Sequence, residues 1–123
     1  MKDIDATVFD ERVAKCGPLA RDLITFLKMV AENAGDGVAR PTFEVRGIGI
    51  TYWTNGRRFC RFDPKHQADH VWTLIPNGDR HALSECGTVS DREDGPWVTI
   101  KNMRGAVRLV QHILHAYDSA QRS

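Results

Sequence analysis

The stretch Thr51–Phe62, TYWTNGRRFCRF, carries the strongest short-range fold signal in the chain. Asn55-Gly56 at its centre is typical of a type I′ hairpin turn, because that turn needs positive φ at both central residues. The residues on either side alternate in polarity, as they do in strands of a half-buried sheet. A two-residue loop also predicts the register, which pairs Trp53 with Arg58, Tyr52 with Phe59, Thr51 with Cys60 and Ile50 with Arg61.

This alternation sorts the side chains of the hairpin onto two faces. One face is expected to carry Ile48, Ile50, Tyr52 and Phe59, and the other Thr51, Trp53, Arg58, Cys60 and Phe62. The apolar residues expected to face the core are odd-numbered before Gly47 (Phe43, Val45) and even-numbered after it (Ile48, Ile50). This change of one position predicts a bulge or kink near Gly47.

Strand patterns recur on both sides of the hairpin. The predicted strands are Thr42–Arg46, Ile48–Thr54, Arg57–Phe62, Val71–Ile75 and Pro96–Ile100. If they share one sheet in matching phase, Trp53, Trp72 and Trp97 fall on one face and the branched aliphatic residues on the other. Residues 79–95 lack clear periodicity and are expected to form a mobile loop.

Helical patterns flank the strands. A short helix is predicted around Val8–Lys15 and an amphipathic helix over Pro18–Ala34, which Gly35-Asp-Gly37 ends. A third helix follows the N-cap Asn102. Its expected core stripe consists of Met103, Ala106, Val107, Val110, Ile113, Leu114 and Tyr117. The sequence therefore predicts a single α+β domain over 1–123, with a four- to five-stranded antiparallel meander between an N-terminal helical region and a C-terminal amphipathic helix.

Composition narrows the classes of function. The 17 Lys and Arg residues balance 16 Asp and Glu residues, giving a formal charge of +1 and no global field for a polyanion. The sequence shows no secretory leader and no apolar run long enough to cross a membrane, so a cytoplasmic protein without membrane contact is expected. Cys16, Cys60 and Cys86 are odd in number and unpatterned, which favours reduced thiols. No cofactor motif is present, and Gly47-Ile-Gly49 lacks the context of a phosphate loop.

The tryptophan-bearing face is the main candidate for a binding site. A covering helix, the N-terminal segment or the 79–95 loop would turn it into a second core layer. If it is accessible, its Trp and Arg residues are those that carry binding energy at interfaces. This first hypothesis is a non-enzymatic interaction module that binds a protein partner or a second copy of itself. Its expected binding residues are Trp53, Arg57, Arg58, Arg61, Phe62, Lys65, Trp72 and Trp97.

A basic hairpin over residues 57–65 supports an alternative function. Arg57, Arg58, Arg61 and Lys65 lie beside aromatic residues, an arrangement that several single-strand nucleic-acid binders use. A solvated sheet face or a cation–π pair between Trp53 and Arg58 explains the same residues without a ligand.

Metal and enzyme sites have weaker support. His66, His70, His81 and Cys86 fit no paired-ligand spacing for zinc, and His112 and His115 lack a third ligand nearby, so no metal is expected. An enzyme is the third hypothesis, with Cys60, His70 or Cys86 as its centre.

Short motifs from residue 42 onward carry a family resemblance. They are Arg58-Phe59 in the hairpin, Trp97-Val98 in a strand and Ala116-Tyr117 near the end of the last helix. In this layout the chain resembles the MmcQ/YjbR-like family and the uncharacterised C-terminal domain of proteins described as predicted transport proteins. The resemblance implies an α+β fold with an antiparallel sheet and a packed C-terminal helix. It also implies DNA binding, since MmcQ/YjbR members are often described as DNA-binding, without a defined catalytic site.

Overall fold

A computed structural model describes residues 2–35, 40–65 and 69–122, with side chains from residue 7 onward. Within these ranges, four helices and six strands form an α+β fold with one open antiparallel sheet. This is the predicted fold class, with six strands instead of four or five. The strand order across the sheet is β1-β2-β3-β4-β6-β5. The elements are α1 (Lys2–Ala14), α2 (Pro18–Glu32), β1 (Thr42–Arg46), β2 (Gly49–Thr54), β3 (Arg57–Lys65), β4 (His70–Leu74), α3 (Arg80–Leu83), β5 (Thr88–Arg92), β6 (Gly95–Ile100) and α4 (Met103–Arg122).

The central hairpin has the predicted turn but only part of the predicted register. Asn55 and Gly56 have φ of 53° and 72°, so both are positive as a type I′ turn requires. Trp53 lies opposite Arg58 as expected, but the next pair is Tyr52 with Cys60. Phe59 is therefore the extra residue of a β-bulge, and the predicted pairs beyond it were wrong by one position.

The bulge changes which side chains enter the core. Because side chains alternate along a strand, a shift of one residue moves Cys60 and Phe62 to the face of Tyr52. Cys60 and Phe62 are fully buried, and the Phe62 and Tyr52 rings lie 6.0 Å apart between centroids. The prediction that Phe62 belongs to the tryptophan-bearing surface was wrong.

Gly47 marks a turn rather than the predicted bulge. Arg46 pairs with Gly49, so Gly47 and Ile48 form a two-residue hairpin loop in which Gly47 has φ of +61°. Ile48 lies in this turn and is 39% exposed instead of facing the core. The change of phase that the sequence shows is thus the reversal of the chain between β1 and β2.

Residues 79–95 contain regular structure, so the prediction of a mobile loop was wrong. They form α3 and the edge strand β5. Within β5 only Val89 packs against the core, while its neighbours are exposed. An edge strand with a single apolar side chain lacks the alternation by which strands are recognised.

The core lies between the helices and the aliphatic face of the sheet. Its fully buried members include Phe9, Leu23, Leu27, Ile50, Tyr52, Phe62, Val71, Val98, Ile100, Leu109 and Ile113. The Gly105 backbone N–H donates to Asn102 Oδ1 at 2.8 Å, which confirms the predicted cap of α4. The buried stripe of α4 is rotated from the predicted one, because Gly105 and Leu109 face inward. The predicted core members Met103, Val107 and Leu114 are 39%, 55% and 39% exposed.

The start of α2 is capped by a residue from another part of the chain. Gly17 occupies the N-cap and has no side chain to offer. The Asp69 carboxylate instead accepts a hydrogen bond from the Ala20 N–H at 2.9 Å, and a Cβ on Gly17 would overlap that carboxylate. The glycine therefore makes room for the cap. None of the described helices is both long enough and apolar enough to span a lipid bilayer.

Candidate functional site

The three tryptophans lie on the same face of the sheet, opposite the helices. Trp53 is opposite Arg58, Trp72 is opposite Asp63, and Trp97 is opposite Leu74. Trp72 and Trp97 share a neighbour, since the Arg92 guanidinium lies 5.2 Å and 5.9 Å from their ring centroids. Trp53 is two strands and four positions away from Trp72, roughly 17 Å by standard strand spacing. The tryptophans therefore form a pair and a separate single residue.

Trp72 is the centre of a compact cation–aromatic cluster. The Lys65 ammonium lies 4.0 Å from its ring centroid, and the Trp72 indole N–H donates to His70 Nε2 at 2.9 Å. The Trp97 indole N–H donates to the Asp94 carboxylate at 2.9 Å. Lys65, Trp72, Arg92 and Trp97 are here called the Trp72 patch. Trp97 is buried and Trp72 is half-buried, and both indole donors are satisfied within the chain. The remaining capacity for stacking and charge therefore lies with Trp72, Lys65 and Arg92.

Arg61 is held by the protein itself. Its guanidinium donates to the Asp63 carboxylate at 2.8 Å, to the Thr51 hydroxyl at 3.3 Å and to the Arg46 carbonyl at 2.8 Å. A Cβ on Gly49 would overlap the Asp63 carboxylate, so this glycine makes room for the ion pair. Burial raises the pKa of the Asp63 carboxyl, and Arg61 opposes part of that rise. The cations predicted along residues 57–65 thus do not form one continuous basic surface.

A cleft opens where β4 leaves the sheet. The pairing of β3 with β4 ends at Arg61 opposite Leu74, and the first residues of β3 continue beside the turn at Pro76–Asp79. The cleft between them has a volume of about 360 Å³. Its lining comprises Arg57, Arg58, Phe59, Ile75, Pro76, Asn77, Gly78, Asp79, Ala82, His112, His115, Ala116, Ser119 and Ala120. Three elements that are distant in sequence thus converge on it: the tip of the central hairpin, the turn after β4 and the second half of α4.

Arg57 and Arg58 are the cations of this cleft. Both are exposed, and within the described ranges neither makes a hydrogen bond, an ion pair or a cation–π contact; the predicted pair of Arg58 with Trp53 is not formed. Successive strand residues point to opposite faces, yet both arginines line the cleft beside the bulge at Phe59. Bulges characteristically redirect neighbouring side chains.

Asp79 and His112, two other polar residues of the cleft, already make hydrogen bonds within the chain. The Asp79 carboxylate accepts from the His81 N–H at 3.0 Å and caps α3. His112 Nε2 lies 3.0 Å from Glu85 Oε1, which lowers the pKa of Glu85. His115 is exposed. Among the described residues, the cleft therefore carries two unpaired cations and one carboxylate, above a floor formed by Phe59 and alanines of α4.

The predicted enzyme centres are not brought together. Cys60 is fully buried, and burial raises the pKa of its thiol well above the usual range. His70 stacks on Trp72. Cys86 lies instead beside Glu85 and His112, with donor atoms of the three within 4.8 Å of one another. The zinc set considered from the sequence is not assembled within the described chain, and His66 lies outside the described residues.

The sequence identified the arginines of the cleft, but it did not predict that the Pro76–Asp79 turn and α4 would line the same cleft. The Pro76–Asp79 turn and the histidines of α4 each have a recognisable local pattern, but their meeting depends on where β4 ends. Comparisons with family models, with curated proteins and with solved structures found no match to this chain. The resemblance to the MmcQ/YjbR-like family therefore stays a prediction.

Proposed function

We propose that this protein is a non-enzymatic binding module and that its site is the cleft between the hairpin tip, the Pro76–Asp79 turn and α4. The observation that carries the proposal is the pair Arg57 and Arg58, which are unpaired within the described chain, at the rim of a concave, apolar-floored space. Small-molecule sites are concave, mostly apolar and marked by a few convergent polar groups. The volume of about 360 Å³ is within the range of such sites.

The charges indicate an anionic ligand. A guanidinium presents planar N–H donors that match the oxygens of a carboxylate or a phosphate, often in a bidentate way. Two such groups side by side favour a ligand with at least one phosphate or two carboxylates. The Phe59 ring and the alanines of α4 favour an apolar or ring-bearing portion below the charged end.

Titration with a defined anion tests this proposal. Pyrophosphate is a suitable probe of the charged end, measured by isothermal titration calorimetry at low and at moderate salt. In the Arg57→Gln, Arg58→Gln double variant the affinity should fall by at least about tenfold, because each charge-assisted hydrogen bond contributes about 1.5–3 kcal/mol. The matched control is Arg104→Gln, an exposed arginine outside the cleft lining. Equal pyrophosphate affinities of the wild type and the double variant would refute the proposal.

A short single-stranded oligonucleotide distinguishes the nucleic-acid alternative. A nucleic-acid surface needs several cations along the backbone path, and its affinity then falls steeply with salt. The separation of Arg57 and Arg58 from Lys65, with Arg61 occupied between them, supports a compact ligand instead. We therefore expect weak oligonucleotide binding. Tight, steeply salt-dependent binding would favour the alternative.

The Trp72 patch supports a second candidate function, the binding of an acidic protein segment. Lys65 and Arg92 make no direct ion pair among the described residues, although Lys65 is close enough to the Asp63 carboxyl to lower its pKa. Both cations lie over indole rings on the sheet face away from the helices. Desolvated Trp and Arg side chains carry much of the energy at protein interfaces. A synthetic acidic peptide should change the Trp fluorescence, and Arg92→Gln should weaken that response. The alternative partner for this patch is a second copy of the chain. Light scattering would then detect a dimer, and Trp72→Ala should weaken its association.

A further inference from the structure

Three side chains of the kinds that bind transition metals meet beside α4. A carboxylate oxygen of Glu85, the sulfur of Cys86 and a ring nitrogen of His112 all lie within 4.8 Å of one another. Among the described residues, this is the one such group of three. We propose that Glu85, Cys86 and His112 together bind one Zn²⁺ ion.

The donor atoms lie within 4.8 Å of one another, and a tetrahedral ion would require them to adjust their spacing. Zinc bonds of about 2.0–2.3 Å place neighbouring ligand atoms roughly 3.3–3.6 Å apart. Glu85 Oε1 and His112 Nε2 are 3.0 Å apart, so this pair has to open slightly to admit the ion. The Glu85 side chain is 45% exposed, so it has room to move once its hydrogen bonds to His112 and Gln111 rearrange.

Contacts with α4 position the Cys86 backbone and the Glu85 carboxylate. A Cβ on Gly105 would overlap the Cys86 carbonyl, so the glycine lets the first turn of α4 lie directly against Cys86. His112 is two turns further along the same face of α4. Gln111 Nε2 donates to Glu85 Oε1 at 2.9 Å, the kind of outer hydrogen bond that orients a metal ligand. The segment that carries Glu85 and Cys86 is thus packed directly against α4, which carries His112.

The ligand types are those of zinc rather than of a hard cation. Thiolate and imidazole favour zinc and similar transition metals, whereas calcium and magnesium prefer oxygen ligands. The ion would displace the hydrogen bond between His112 and Glu85 and bind the lone pair of the neutral imidazole. The Cys86 thiol would lose its proton to solvent, leaving a thiolate. One thiolate and one carboxylate then balance the ion, and water can complete the tetrahedron.

Cobalt is the probe that reports on the sulfur. Co²⁺ occupies zinc sites and shows an intense near-ultraviolet charge-transfer band when a thiolate binds it. We expect this band in the wild type at one ion per chain, and we expect zinc to remove it. Cys86→Ser should lose the band and weaken zinc binding on the order of 100-fold or more, beyond the loss caused by an outer-shell change. Glu85→Gln, a change at an exposed side chain that does not threaten folding, should weaken zinc binding at least tenfold.

The controls distinguish this site from other thiols and from the arginines of the cleft, whose lining includes His112. His115→Gln changes the neighbouring exposed histidine of α4, and Cys16→Ser changes another buried thiol; both should keep the cobalt band. The Arg57→Gln, Arg58→Gln double variant should also bind zinc like the wild type, so failure of the anion site and failure of the metal site are distinguishable. Absence of the band in the wild type at saturating Co²⁺, or its persistence in Cys86→Ser, would overturn the proposal.

Discussion

Replacing Arg61 by methionine should destabilise the protein, because this arginine is bound within the fold. Methionine keeps most of the apolar stem but removes the guanidinium. The Asp63 carboxylate, whose side chain is 12% exposed, then loses its ion-pair partner, and the Arg46 carbonyl loses a donor. Breaking a fully buried ion pair costs about 3–5 kcal/mol. The remaining exposure of both side chains lowers the expected loss in unfolding free energy to about 2–3 kcal/mol.

Urea denaturation measures this loss directly, and thermal unfolding should show a midpoint lower by about 8–12 °C. Arg46→Met is the matched control, since the Arg46 side chain is exposed and only its carbonyl is used; its effect should stay within about 0.5 kcal/mol. The Arg61→Met, Asp63→Asn double variant should recover part of the loss, because no buried charge is then left unpaired.

The pH dependence has a definite sign. Burial already raises the pKa of Asp63, and removal of Arg61 raises it further. A carboxyl with a raised pKa binds its proton more tightly in the folded state, so it destabilises the fold as the pH rises through that pKa. The stability difference between Arg61→Met and the wild type should therefore narrow from pH 7 to pH 5. A loss no larger than that of Arg46→Met would refute the reasoning and would leave Arg61 available to a ligand.

Two further substitutions test the contacts that position the sites. Asp69→Ala removes the cap of α2 and should cost about 1 kcal/mol of unfolding free energy in urea; an unchanged midpoint would contradict the capping role. Gly105→Ala should destabilise by about 1–3 kcal/mol because its Cβ overlaps the Cys86 carbonyl, although alanine favours a helix over glycine by about 1 kcal/mol. A stabilised Gly105→Ala variant would contradict the steric role assigned to Gly105.

Local patterns predicted the hairpin turn and the helices because their causes are local. Asn55-Gly56 fixes its own backbone conformation, and the apolar spacing of α2 needs no knowledge of the rest of the fold. The bulge at Phe59 leaves no comparable mark, since both Phe59 and Phe62 are apolar and fit either phase. Contacts between residues that are distant in sequence could not be predicted either, because they depend on how the helices pack on the sheet.

The candidate sites depend on such packing. Arg57 and Arg58 were recognisable from composition, but their cleft exists because β4 ends opposite Arg61. Cys86 and His112 are 26 positions apart, and their contact follows from the close approach at Gly105. Because Gly105 faces inward at this close approach, α4 buries Leu109 and exposes Met103, Val107 and Leu114. The stripe predicted from apolar spacing alone was therefore partly wrong.

An amide NMR titration with pyrophosphate tests the central claim that the cleft is the binding site. The account predicts saturable shift changes that cluster at residues 57–59, at 75–79 and along the cleft-facing residues of α4, and that disappear in the Arg57→Gln, Arg58→Gln double variant. Changes that cluster instead around Trp72 and Arg92, or that stay small and unsaturable across the whole chain, would contradict it.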